Sequence, residues 1–288
     1  MSTIRTNTLT PQQRTEILHL RTMCSEYEQL ENSLFLSNEM NTDPSLPCFF
    51  LRYEQRLLAG VLVAFFPTTA EVEVNALVLP DYRRRGIFSS LVTEARRTYA
   101  PHGFLQMLFQ VESSSKSGKA YLETRFPHID RTEYRMRLSK SRWREKKSSI
   151  PTNEGTLVEA TGEALPQYVR SAALLLREDA ACVQRLLSDP ARTGYLYLYE
   201  GKPIGVLQQY TDSEGLTMLH AVAIDEAYRG RGHGKAMLAL ALDALFMSCD
   251  VLTLEVDSVN PVAFALYCAL GFEIEFQVDY HALNLSSL

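Results

Sequence analysis

The chain has 288 residues, 46% of them apolar and 22% charged, with a formal net charge of −5. Its length suits two globular domains of about 140 residues, and the acidic surplus argues against a broadly basic nucleic-acid surface. The five cysteines, Cys24, Cys48, Cys182, Cys249 and Cys268, form no CxxC pair, so neither a disulfide framework nor a metal site is expected and a cytoplasmic setting fits.

In chain order, residues 3–8 read as a strand. A helix follows over about 12–23, entered through Thr10 as cap and Pro11 at the first helical position. Further helix is expected near 27–39. Strands come next at 48–54, 57–66 and 71–79; the last alternates polar and apolar residues, the pattern of a strand with one wet face. A helix over 86–100, a buried strand over 104–111, a short helix over 117–126 and a strand over 131–139 close the first half. The basic, polar stretch 140–154 has no apolar period and reads as a linker.

The second half runs through the same order. It has a strand at 155–160, helices over 163–176 and 178–188, and strands at 194–200, 202–210 and 216–224. A helix then runs from Gly232 to about 247, followed by a buried strand at 251–256 and a helix over 260–270, capped by Asn260 with Pro261 behind it. Two strands close the chain. No apolar run is long enough to span a bilayer, and the first ten residues carry no apolar signal core.

Gly86 and Gly232 stand 146 positions apart, and the same offset pairs Arg83 with Arg229, Tyr121 with Tyr267 and Phe126 with Phe272. One offset shared by four such positions marks an internal duplication. The expected fold class is α/β, in two copies of one domain at 1–139 and 155–288.

The most informative stretch is Tyr-Arg-Gly-Arg-Gly-His-Gly-Lys at 228–235, at the mouth of a helix. A helix N-terminus carries unpaired N–H groups and a partial positive charge. Gly232 and Gly234 let the backbone close on an anion, while Arg229, Arg231 and Lys235 add charge, so the expected guest is a phosphate or pyrophosphate. Taken alone, the stretch also reads as a glycine-rich turn before a core helix. A P-loop is excluded, because Ala236 follows Lys235 and Arg229 stands where the first glycine belongs. A Rossmann fingerprint fails at Lys235.

What fits is Arg-x-x-Gly-x-Gly, as Arg229-Gly230-Arg231-Gly232-His233-Gly234, placed after the strand at 216–224. It resembles the acetyl-CoA loop of the GCN5-related N-acetyltransferase (GNAT) superfamily. The stretch 260–273, with Asn260, Ala263, Tyr267, Gly271 and Phe272, is similar to that superfamily's late helix and Gly-Phe turn. The resemblance implies two tandem GNAT-like domains, each a mixed twisted sheet flanked by helices, with the better-preserved copy at the C-terminus. It implies acetyl-CoA as cosubstrate and no metal. The pyrophosphate would lie on Arg229, Gly230, Arg231, Gly232, His233, Gly234 and Lys235. The pantetheine arm would run as an added strand past Val222, Ala223 and Ile224, and Asn260 belongs to the same cofactor-binding set.

The resemblance also implies direct attack by a primary amine of a small molecule or peptide, with no protein nucleophile; Cys249 and Cys268 read as core. Tyr267 stands at the family's general-acid position, and packing beneath the helix is its structural reading. His220 is the candidate base. It shares a face with Val222 and Ile224 by strand alternation, and an unperturbed histidine titrates near 6.5. A purely structural histidine is the other reading, and Glu255 is a weaker rival.

The first half keeps Arg83 and Gly86 of the motif but places Phe88 at the final small position, where the ring either obstructs a phosphate or packs into the core. Ser114 falls at the offset of Asn260 and Arg125 at that of Gly271. Glu71, Glu73 and Asn75 share one strand face, either exposed or lining a groove for a cationic substrate. The expectation is an acetyl-CoA-dependent N-acyltransferase, monomeric or homodimeric, with catalysis in the C-terminal domain and no nucleic-acid or membrane partner. A non-catalytic acetyl-CoA sensor or scaffold is the alternative.

Overall fold

The computed structural model describes residues 3–31, 34–150, 154–212 and 215–285. The first half contributes β1 (Thr3–Thr6), α1 (Pro11–Glu28), β2 (Phe49–Glu54), β3 (Leu57–Phe65), β4 (Glu71–Val78), α2 (Ile87–Tyr99), β5 (Gln106–Glu112), α3 (Lys116–Arg125) and β6 (Ile129–Ser139). The second contributes α4 (Lys140–Lys146), β7 (Thr156–Glu159), α5 (Ala164–Leu176), α6 (Ala180–Leu186), β8 (Arg192–Tyr199), β9 (Lys202–Thr211), β10 (Thr217–Ile224), α7 (His233–Leu245), β11 (Val251–Asp257), α8 (Pro261–Leu270) and β12 (Glu273–Asn284).

These elements form two compact units, Met1–Thr132 with Phe276–Leu288, and Glu133–Glu275. In the first, the sheet order is β1-β2-β3-β4-β5-β12, antiparallel except for the parallel pair β4–β5. In the second it is β7-β8-β9-β10-β11-β6, antiparallel except for the parallel pair β10–β11. Each sheet therefore takes its last strand from the other half of the sequence. The division differs from 1–139 and 155–288, because Val278–Asn284 pairs with β5 and Glu133–Ser139 pairs with β11. Strand pattern marks β6 and β12 as strands and is silent on which neighbour each will find.

Local chemistry explains the element ends. Thr10 and Gln13 form a reciprocal capping box at α1, with Pro11 in the first turn. The further helix expected near 27–39 does not form: Gln29 turns left-handed at φ 56 and ends α1, and residues 30–31 and 34–39 are irregular. Residues 32–33 lie outside the described residues. Tyr99 anchors the first core. Its ring meets Phe50, Phe66 and Phe104 at 6.0, 5.5 and 5.7 Å, and its hydroxyl donates to the Pro47 carbonyl at 2.6 Å, so a buried aromatic keeps its polar end paired.

The stretch 140–154 is not a plain linker. Ser139 caps α4 by accepting from the Arg142 N–H, and Trp143 is 2% exposed within the second unit's core. Its Nε1 donates to Asp243 at 2.8 Å. A single tryptophan in a basic run creates no apolar period, yet it buries enough surface to fix the helix. Residues 151–153 lie outside the described residues.

Candidate functional site

In the second unit β10 is parallel to β11 only over Thr217–Leu219, opposite Leu252–Leu254. The short pairing coincides with an irregularity in β10. A bulge between His220 and Ala223 sets one extra residue against β9, with Ala221 at φ 51. β11 stays paired with β6 as far as Asp257, so the two parallel strands part after Leu219. Val222, Ala223 and Ile224 flank that parting, where an extended chain can add to an open strand edge.

At the end of β10, Asp225 caps a single 3₁₀ turn, Arg229 is extended, and Gly230 and Gly232 sit at φ 73 and φ 84. A side chain at those angles is strained. Gly232 caps α7 without any side-chain bond, and the first helical bond runs from the Ala236 N–H to the Gly232 carbonyl. The N–H groups of His233, Gly234 and Lys235 precede it, at the positive end of the helix. Arg229 Nε donates to the Ile224 carbonyl at 2.9 Å, which fixes the arginine, while its guanidinium remains 58% exposed near Glu226. Arg231 lies 6.0 Å from the Tyr228 ring. His233 turns its ring inward, at 4.5 Å from Tyr199 and 5.8 Å from Tyr228, so its backbone alone serves the loop. Asn260 Oδ1 accepts from the Ala263 N–H at 3.1 Å and so caps α8.

Tyr267 is 7% exposed, edge-on to Phe272 at 5.9 Å, and burial pushes its phenol up to about 12. It is a neutral O–H donor at any physiological pH. His220 departs from expectation. The bulge breaks the alternation, so Val222 and Ile224 pack with Leu219 against the α7 side. His220 instead pairs across from Gln208, on the face that carries Val206 and Ala223 toward α5. Its Nε2 is buried with no hydrogen-bond partner, and burial, then the Arg192 charge, depress its pKa to about 4. Glu255 is held by Arg135, at 2.8 Å from Nη2 and 3.1 Å from Nε.

The first unit repeats the geometry with different fittings. β4 pairs with β5 over Glu71–Val74 and Gln106–Phe109, and the strands part at Asn75 without a bulge. Gly86 caps α2 at φ 78, Arg84 takes φ 61 where the second copy has Gly230, and Arg83 Nε donates to the Val78 carbonyl at 3.0 Å, as Arg229 does to Ile224. Here the parting opens into a cavity of about 620 Å³ whose walls include Leu77, Phe88, Phe109, Ala120 and Tyr121. Phe88 does not close it. The ring packs edge-on against Tyr121 at 4.8 Å and Phe109 at 6.1 Å. A Cβ on Gly234, the counterpart position, would meet Leu266 at 3.5 Å and Ile224 at 3.7 Å. The first unit has Ala120 at the offset of Leu266. Phe88 with Ala120 thus replaces Gly234 with Leu266, a large-for-small exchange in the wall.

One more feature of this cavity is not legible in the local sequence. Glu28, 8% exposed, accepts from Arg83 Nη1 at 3.0 Å and from the Ser117 N–H at 3.0 Å, so it caps α3 from a distant helix. No local pattern announces a pair 55 positions apart in the chain; the Ala120–Leu266 difference, by contrast, was visible at the 146 offset. Glu71 and Glu73 do not form an open groove: Arg131 bridges them at 3.1 and 2.5 Å and stacks 4.3 Å from the Tyr280 ring. Among the described residues, no group of three or more His, Cys, Asp or Glu could hold a metal, and no helix is long and apolar enough to cross a membrane.

Known proteins share this arrangement. The model of the acetyltransferase (GNAT) family matches residues 14–124 and again 158–272. A GCN5-related N-acetyltransferase from Sphaerobacter thermophilus superposes with a TM-score of 0.75 at 16% identity, over 98% of this chain and 96% of that one. A tandem GNAT protein from the clavulanic acid biosynthesis pathway gives 0.73 at 16% identity, over 99% and 98%. Both share the fold. In sequence, N-alpha-acetyltransferase RimI of Mycobacterium tuberculosis is 42% identical over 55 residues, 19% of this chain and 34% of that protein. An uncharacterized protein of Mycobacterium leprae is 46% identical over 55 residues, 15% of its own length. The chain thus matches 34% and 15% of the length of these curated relatives. With one family match on each half and the parting strands and capping glycine in both units, the chain is a tandem member of the acetyltransferase (GNAT) family.

Proposed function

We propose that this protein is an acetyl-CoA-dependent N-acetyltransferase acting on a primary amine, with its catalytic centre in the second unit. The observation that carries the proposal is the parting of β10 from β11 directly above a glycine cradle at the N-terminus of α7. The residues fit the cosubstrate: positive φ at Gly230 and Gly232, first-turn amides, and an exposed Arg229 guanidinium suit a diphosphate. Val222, Ala223 and Ile224 offer strand backbone to the pantetheine amides. Acetyl-CoA, when bound, supplies the activated thioester.

The protein's own groups then have limited work. Tyr267 holds its proton to about 12, while a thiol titrates near 8.5, so complete transfer to the departing sulfur is uphill by roughly 5 kcal/mol. Tyr267 therefore serves as a hydrogen-bond donor that stabilises the thiolate. His220, with a pKa of about 4 and on the α5 face, is a poor match for an ammonium near 10. Ammonium deprotonation falls to water.

The test is release of free CoA thiol with a panel of primary amines, for the wild type and Arg229→Gln. Acetyl-CoA turnover with KM raised about tenfold in the variant supports the assignment. Saturable acetyl-CoA binding with no thiol release from any amine refutes it in favour of a sensor.

A further inference from the structure

Where β10 and β11 part, each strand turns one polar side chain to the α5 face of the second sheet. The last parallel pair is Leu219 with Leu254, and both belong to the core on the α7 side. Alternation puts the next residues, His220 and Glu255, on the opposite face, one at each lip of the parting. In the first unit the last such pair is Val74 with Phe109, and the residues that follow, Asn75 and Gln110, bond to each other across the parting at 3.4 Å. The lips of the second unit share no such bond. Arg135 gives both of its bonds to Oε1 of Glu255, which leaves Oε2, on a side chain 45% exposed, without a donor among the described residues. His220 Nε2 also has no partner, and a buried polar atom left unpaired calls for an explanation.

The same face carries a further cation. Arg192 stands opposite Tyr210 across β8 and β9, and Tyr210 is the diagonal neighbour of His220, which stands opposite Gln208. The guanidinium lies 4.6 Å from the Tyr210 ring, and that ring lies 6.3 Å from His220. Among the described residues Arg192 has one ion pair, from Nε to Asp189 at 3.8 Å, beyond hydrogen-bond distance. Glu255 with Arg135 thus stands at the lip, and Arg192 with Asp189 beyond Tyr210. A guanidinium stacked on an aromatic ring, with its Nη donors unspent, presents a fixed fork that suits a carboxylate.

On the α7 side of the parting an amine would meet packed Leu219, Val222 and Ile224, which leaves the α5 face for its approach. Given acetyl transfer in the second unit, on which this rests, we propose that the acceptor is an amino acid. Its ammonium is held at Glu255 Oε2 beside His220, and its carboxylate is held by Arg192 against Tyr210. Because the Tyr210 ring lies between the two anchors, several bonds separate the amine from the acid.

The test measures release of free CoA thiol by the intact protein with ω-amino acids from glycine to 6-aminohexanoate, each against the alkylamine that lacks the carboxylate. At one or more chain lengths the amino acid exceeds its matched amine in kcat/KM by about tenfold or more. Arg192→Gln brings that ratio to about one, and Arg192→Lys keeps part of it, because the charge remains while the fork is lost. Glu255→Gln lowers kcat/KM for both members of a pair and leaves the ratio in place, whereas a merely structural Arg192 would lower both members alike. Equal rates for every pair overturn the proposal, and so does a preference that survives Arg192→Gln. Should no amine release thiol, acetyl transfer itself fails, and calorimetry of the same amino acids on the CoA-loaded protein decides the subsite. Binding abolished by Arg192→Gln supports it, and no binding overturns it.

Discussion

The exchange between the two wall pairs gives a test of the duplicated geometry. In the second unit the space beyond Gly234 is filled by Leu266 at 3.5 Å and Ile224 at 3.7 Å, measured from a built Cβ. An alanine fits there at ordinary contact distance, so Gly234→Ala is neutral or stabilising by about 0.5–1 kcal/mol through helix propensity. A phenyl ring does not fit, and Gly234→Phe overpacks the wall by about 1–3 kcal/mol. Leu266→Ala alone removes part of a half-buried side chain and costs about 1–2 kcal/mol. If Phe88 with Ala120 is the same wall solved another way, the double variant Gly234→Phe/Leu266→Ala recovers most of both losses, a coupling of about 1–3 kcal/mol. Thermal unfolding reads this directly, at about 4 °C per kcal/mol for a unit of this size. Simple additivity, with the double variant melting lowest of all, would refute the equivalence of the two walls.

Three further outcomes are expected. Tyr267→Phe lowers kcat by about 10–100-fold with little change in the KM for acetyl-CoA, because only the O–H donated to the departing sulfur is lost; unchanged kcat in steady-state thiol release removes Tyr267 from the mechanism. His220 titrates near 4 when folded against 6.5 when unfolded, so the unfolded chain binds more protons between those values. Its contribution is complete above pH 6.5 and is lost as pH falls through 4, with a ceiling of about 3 kcal/mol. His220→Asn should flatten that part of a denaturation-versus-pH profile; an equally steep profile rejects the buried neutral histidine. Trp143→Ala costs about 3–5 kcal/mol of second-unit stability in urea unfolding, the penalty of emptying a core site, whereas a linker tryptophan would cost nothing measurable.

Much of this protein was legible locally. The 146-residue offset, the caps at Thr10 and Asn260, and the left-handed glycines at 86, 230 and 232 are encoded within a few residues of where they act. Backbone sterics and unpaired helix amides leave few alternatives at such positions. Four decisions belonged to the tertiary structure alone. Strand exchange sent Val278–Asn284 to β5 and Glu133–Ser139 to β11, because an alternating pattern says which face is wet but not which edge is free. One extra residue in β10 carried His220 to the opposite face from Val222 and Ile224, since a bulge resets the period on which face assignments depend. Trp143 turned a basic run into core. Glu28 met Arg83 across the first unit, 55 positions away in the chain. Pairings between residues far apart in the chain depend on how the elements pack, so they became visible only in the folded structure.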